Sequence, residues 1–151
     1  MGRSRREILE EGLEVMNRHD IERLRELVTP DYVEEYPQSG ERVVGPDNLL
    51  AMMENYPGGL RPRRFDVPNA RLVGEDEQYL VGPSSTVLHM TGSGDTWTAV
   101  TRVRYPDGMW HVVMFVEFRG DRIARMTDYF APEFPAPEWR AQWVERIEDR
   151  E

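Results

Sequence analysis

Asp128 stands out chemically because it sits on the oily side of an extended run, Asp121-Arg-Ile-Ala-Arg-Met-Thr-Asp-Tyr-Phe130. Side chains alternate along a strand, so Ala124, Met126, Asp128 and Phe130 share one face while Arg125, Thr127 and Tyr129 share the other. A carboxylate placed among Met and Phe costs free energy unless it is paired, hydrogen-bonded or protonated. That environment shifts a pKa toward acid or base chemistry. The pattern therefore predicts a pocket with an acid in its wall. Phenols that could donate to a ligand oxygen are Tyr32, Tyr36 and Tyr56, and adaptable apolar walls would come from Met53, Met114, Val116, Met126 and Phe130. The three histidines, His19, His89 and His111, show no His-x-His or Glu-x-x-His spacing, so no metal site is expected. Ser84-Ser85 lacks the Gly-x-Ser-x-Gly context of an activated nucleophile.

Composition removes other chemistries. The chain has no cysteine, and all 19 basic residues are arginine. Thiol nucleophiles, Schiff-base lysines, cysteine-ligated metals and lysine-bearing phosphate loops are excluded. A net charge of −9 gives no basic footprint for nucleic acid. The longest apolar run, Val112 to Val116, is too short to span a bilayer, and the polar start Met-Gly-Arg-Ser-Arg-Arg-Glu lacks the apolar stretch of a signal peptide. A cytoplasmic protein with no membrane partner is expected. The length of 151 residues corresponds to one domain with a core of its own.

The elements that must position Asp128 follow from periodicity. Ile8, Leu9, Leu13 and Met16 recur at helical spacing over Ser4 to Arg18. Asp20 is placed to cap a second helix bearing Ile21, Leu24, Leu27 and Val28, ended by Thr29-Pro30-Asp31. A short extended piece, Tyr32 to Tyr36, and a turn-rich loop come next. Gly45-Pro46-Asp47 then opens a third helix that Pro57-Gly58-Gly59 stops. Strands are expected over Asp66 to Val73, Gln78 to Met90, Thr96 to Tyr105, Trp110 to Phe118 and Arg122 to Phe130, with short Gly- and Asp-containing turns. The expected fold is α+β, with three N-terminal helices packed on one face of a strongly curved antiparallel sheet. Residues 131–151 form a Pro-rich tail whose terminal helix puts Trp139 and Trp143 on one face, both wanting burial. Val112, Met114, Val116 and Phe118 should face the helices. Val113 and Phe115 face the other way, and covering them calls for a partner, most simply a second copy in a homodimer.

Helices followed by a curved meander, with Tyr32-Val-Glu-Glu-Tyr-Pro-Gln-Ser-Gly-Glu-Arg-Val-Val-Gly-Pro-Asp-Asn48 between the second and third helices and Arg122-Ile-Ala-Arg-Met-Thr-Asp-Tyr-Phe130 at the end, resemble the nuclear transport factor 2-like (NTF2-like) superfamily. The resemblance is to its SnoaL-like polyketide cyclase and ketosteroid isomerase branch, and it covers about Arg5 to Phe130. It implies an NTF2-like cone with a hydrophobic pocket for a small apolar molecule. Lined up with the isomerases, Val33-Glu34-Glu35 places Glu35 at the general-base position, with Glu34 as a solvated neighbour. Asp128 falls on the final strand, where the cyclases carry their catalytic aspartate. The isomerases' oxyanion donors would fall near Gly12 and Met114, so neither is present here.

Three functions fit these residues. The first is an isomerase- or lyase-type enzyme needing no cofactor, in which Glu35 and Asp128 isomerise, cyclise or dehydrate an apolar carbonyl compound. The second is a non-catalytic ligand-binding protein whose carboxylates orient a hydroxyl or amine. The third is a dimerisation module whose cone is filled by its own side chains.

Overall fold

The structure, a computed structural model, describes residues 2–18, 20–55, 84–105 and 108–147. In chain order the elements are α1 (Arg5–Arg18), α2 (Ile21–Leu27), β1 (Val28–Tyr36), β2 (Glu41–Val44), α3 (Pro46–Glu54), β3 (Ser84–Ser93), β4 (Thr96–Tyr105), β5 (Gly108–Arg119) and β6 (Arg122–Pro132). A 3-10 turn at Glu138–Trp143 follows. The architecture is the expected α+β arrangement. The strand Asp66 to Val73, the stop at Pro57-Gly58-Gly59, Tyr56 and His19 lie outside the described residues.

Local chemistry explains the helices. Ser4 and Glu7 form a reciprocal capping box: the Ser4 N–H donates to Glu7 Oε2 at 2.7 Å, and the Glu7 N–H donates to Ser4 Oγ at 3.2 Å. These hydrogen bonds hold the Glu7 carboxyl below its usual range. On the buried side of α1, Ile8, Leu9 and Val15 are almost completely enclosed. α2 differs from expectation at both ends. Asp20 makes no side-chain cap, and the chain enters β1 at Val28 with no intervening turn. α3 starts as expected, with Pro46 in the first turn, where a missing N–H costs nothing.

The sheet runs in the order β2-β1-β6-β5-β4-β3. It is mixed: β1 runs parallel to β6, with Glu34 opposite Met126 and Glu35 opposite Thr127. This corrects the purely antiparallel meander. The parallel pairing is possible because the whole intervening chain serves as the crossover that parallel neighbours require. No strand was expected at β2. Its four residues pair with β1, placing Arg42 opposite Glu35. At the far end Gln38 prolongs the β1–β6 seam, its amide nitrogen donating to the Phe130 carbonyl at 2.8 Å and its oxygen accepting from the Phe130 N–H at 2.6 Å.

The inner face carries the core, with Ala99, Val103, Val112, Met114, Val116 and Phe118 buried, as alternation requires. On β6 a register irregularity opposite Glu117 and Phe118 brings Ile123 to the inner face in place of Ala124. On the outer face Phe115 and Tyr129 stay half exposed and meet edge to face at 6.1 Å. The tail was expected to bury its tryptophans against the sheet edge or a partner subunit. Trp139 and Trp143 are 73% and 71% exposed on the 3-10 turn, so this chain's own sheet does not bury them.

The β3–β4 hairpin closes tightly over Gly92. A Cβ there would lie 2.5 Å from Trp97 Cγ and 2.6 Å from the Thr96 carbonyl oxygen. Gly92→Ala should therefore cost about 1–3 kcal/mol in urea unfolding, the range for overpacking at a backbone contact. Unchanged stability would contradict the seating of Trp97 against this hairpin.

Candidate active site

The helices and the concave face of the sheet enclose a cavity of about 840 Å³, ample for a small ligand. Its walls are apolar, including Leu13, Met16, Leu49, Met53 and Val112. Its polar groups gather where β1 and β6 run side by side. Tyr32, Glu34 and Tyr36 alternate inward from β1, and Asp128 enters from β6 beside them. Glu34 and Asp128 are only 7% and 5% exposed.

Their adjacency follows from register. Glu34 sits opposite Met126, so Asp128, two residues further along the parallel strand, is its diagonal neighbour on the same face. The two carboxyls lie close enough for the charge of Glu34 to act on Asp128. Tyr32 donates its hydroxyl to Glu34 Oε2 at 3.1 Å, which fixes the glutamate from the other side. Among the described residues Asp128 Oδ1 has no hydrogen-bond partner. Burial first, and then the charge of Glu34, pushes the Asp128 carboxyl well above the ordinary carboxylate range. The same burial, together with both carboxyls, raises the Tyr32 and Tyr36 phenols, so they serve as donors and not as bases. The result is an Asp128 carboxyl that favours its protonated form beside a second buried carboxyl, an arrangement suited to one acid and one base.

Glu35 does not join this group. It points to the outer face, where Arg42 from β2 donates to it at 3.2 Å and Arg125 from β6 forms a second ion pair. Its expected place in the cavity is therefore corrected to Glu34, one residue earlier. The reason is the period of two: Tyr32 and Tyr36 line the cavity, so the residue between them with the same parity does too. Glu35→Gln should leave ligand binding and any turnover within about twofold of the parent, as for a surface change away from the site. A large loss on binding or rate assays would put Glu35 back in the mechanism.

Of the other expected pocket residues, Tyr32, Tyr36, Met53, Met114, Met126 and Phe130 all line the cavity. Val116 does not. It is fully enclosed in the core, opposite Trp97 and Met126 in register. Tyr105 and Trp110 also line the cavity, their rings edge to face at 6.0 Å, although neither was expected there. Their inward parity with Val103 and Val112 was the available signal. No cluster of three or more metal-type ligands occurs among the described residues.

The model of the SnoaL-like domain matches residues 9–126, most of the chain. This chain belongs to the SnoaL-like domain family. Solved structures place the domain within the NTF2-like fold. An NTF2-like protein of unknown function from Burkholderia xenovorans is 29% identical, with a TM-score of 0.72 over 95% of this chain and 94% of that one. A Kribbella flavida protein described provisionally as a ketosteroid isomerase is 20% identical, with a TM-score of 0.72 over 97% and 91% of the two chains. A Shewanella putrefaciens protein described provisionally as a SnoaL-like polyketide cyclase shares 10% identity, with a TM-score of 0.62 over 86% and 81%. Among curated proteins none matches this SnoaL-like domain. No helix among its described residues is long and apolar enough to cross a membrane.

Proposed function

We propose that this SnoaL-like domain is a small-molecule enzyme performing cofactor-free proton transfer on an apolar carbonyl compound, with Glu34 as base and Asp128 as acid. The observation that carries this reading is the buried carboxyl pair in the wall of an apolar cavity, with no arginine or histidine among the described lining residues to neutralise it. Purely structural buried carboxylates are normally paired with a cation. In the first step Glu34 takes the proton from the carbon next to the carbonyl, the C–H electron pair becomes the enol double bond, and the Asp128 hydroxyl protonates the carbonyl oxygen. The pair begins and ends the step with one proton and one negative charge. A low-dielectric site therefore never holds a second uncompensated charge. Return of the proton at another carbon completes an isomerisation, while attack of the enol on a second carbonyl of the same molecule gives cyclisation. Loss of a β-hydroxyl as water, protonated by Glu34 while Asp128 takes back the enol proton, gives dehydration.

A second reading, a ligand-binding module, draws support from the same apolar cavity, in which the two carboxyls would orient a bound hydroxyl or amine. The two are separated by α-proton exchange in D₂O, followed by NMR on apolar ketones such as 4-phenylcyclohexanone. An enzyme accelerates exchange over buffer, whereas a binder leaves it at the buffer rate.

The same proposal includes a homodimer through the outer sheet face, supported by the half-exposed Phe115 and Tyr129 pair. It also includes one domain with residues 131–151 as its tail, supported by the exposed course of the segment beyond β6. A cytoplasmic setting is part of the same proposal.

A further inference from the structure

We propose that residues 134–147 form an arm that docks on a second copy of this chain, with Trp139 and Trp143 packing on the outer sheet face beside the partner's Phe115 and the partner's Tyr129. The inference rests on the proposed homodimer and adds the segment that closes it.

Two unpartnered apolar surfaces on the same chain lead to it. One is the arm itself, in which Phe134, Trp139, Trp143 and Ile147 are 65–77% exposed. The other is the outer face of the sheet, where Phe115 and Tyr129 meet edge to face and Val113 stands in register between Tyr129 and Val100. Apolar side chains exposed singly are ordinary, whereas contiguous sets of them mark contact surfaces. The sheet face alone is too small for a lasting contact. An aromatic side chain covers about 150–250 Å² when enclosed, so the half-exposed Phe115 and Tyr129 offer roughly 200 Å² between them. A stable interface takes about 800 Å² from each partner. Phe134, Trp139 and Trp143 add roughly 400 Å², and Val144 and Ile147 bring the total close to that requirement.

The root of the arm suits an exchange between copies. Glu133 is pinned to the sheet: it accepts from Arg102 Nε at 2.6 Å and from Arg102 Nη2 at 3.1 Å, and lies 3.0 Å from His111 Nε2. Its own N–H donates to the Met109 carbonyl at 2.9 Å. Beyond it Phe134-Pro-Ala-Pro137 is a stiff extended spacer, with Pro137 at φ −63° and ψ 133°. At about 3.1 Å per residue the spacer reaches roughly 12 Å, enough to cross the gap of about 10 Å between two sheets packed face to face. Stiffness also opposes the tight reversal that would return the arm to its own sheet. Every copy carries both the arm and the face that receives it, so a two-fold pair makes the contact twice and is closed. Residues 131–151 hold six acids and three arginines, which disfavours an anionic membrane surface or nucleic acid as the occupant.

The test measures self-association of the full chain by sedimentation equilibrium. The parent should be a dimer, and the double variant Trp139→Ala, Trp143→Ala should raise its dissociation constant about a hundredfold or more, as for two central aromatic anchors. Phe115→Ala should raise it about tenfold or more. All three side chains are well exposed in the single chain, so far-UV circular dichroism of the variants should match the parent. In a parent sample mixing isotope-labelled and unlabelled copies, filtered NOEs should connect the Trp139 and Trp143 indoles of one copy to the Phe115 and Tyr129 rings of the other. A parent dimer that the tryptophan variant leaves unchanged would overturn the arm and leave the sheet-face dimer standing. A tryptophan effect without a Phe115 effect, or NOEs only within one copy, would also overturn it, by placing the arm elsewhere or on its own sheet. A parent that stays monomeric at every concentration would remove both the arm and the dimer it rests on.

Discussion

Glu34→Gln should slow α-proton exchange of an apolar ketone by about a thousandfold, within the range general acid–base catalysis supplies, while the variant stays folded. The amide keeps the size of the side chain and can still accept from the Tyr32 hydroxyl, so packing is preserved. It cannot take a proton from carbon. Asp128→Asn should cost less, about a hundredfold, because its N–H can still stabilise the carbonyl oxygen even though it cannot protonate it. The order of the two effects matters as much as their size. A larger loss at Asp128 would exchange the two roles, and near-parental rates for both variants would leave the cavity a binding site.

Stability should fall as pH rises above about 4, through a contribution that Asp128→Asn removes. The sign follows from the direction of the shift. The folded pKa of Asp128 lies above its ordinary value of 3.8, so the native state binds more protons than the unfolded chain between the two values. That contribution is fully present below the unfolded pKa and is lost as pH climbs through the folded one. Denaturant unfolding across this window should show Asp128→Asn gaining on the parent by up to about 1.4 kcal/mol per pH unit. Comparing the two proteins cancels carboxyls shifted the other way. Examples are Asp31, lowered by its hydrogen bond to Arg119, and Glu11, lowered by Arg23, both common to parent and variant. Parallel curves for the two proteins would mean that Asp128 is ionised in the native state at ordinary cost.

These expectations depend on features that differ in how far local sequence reveals them. The inner face of β5 could be read directly, because Val112, Met114, Val116 and Phe118 alternate without interruption and all are buried. Asp128 was legible for the same reason. Glu34 was legible too, but only through the parity of Tyr32 and Tyr36. Aligning the stretch to a family's base position shifted the assignment one residue, and in a strand one residue is the other face. The pairing of β1 with β6 had no local signal, since it joins segments about ninety residues apart and only the closed sheet brings them together. Gln38 looked like a turn residue, and its role at the end of that seam appears only in three dimensions. β2 was hidden because four residues with two charges beside a Gly-containing turn carry too little pattern. For Trp139 and Trp143, hydrophobicity implied burial that the path of the tail does not provide.

The most direct test of the central claim, that the cavity wall holds a carboxyl pair keeping one proton, is carbon-detected NMR titration of the side-chain carboxyls in the free protein. One aspartate carboxyl should titrate well above all the others, and its resonance should be absent from Asp128→Asn. If every carboxyl in the parent titrates in the ordinary range, the pair does not hold a proton and the acid–base account is wrong.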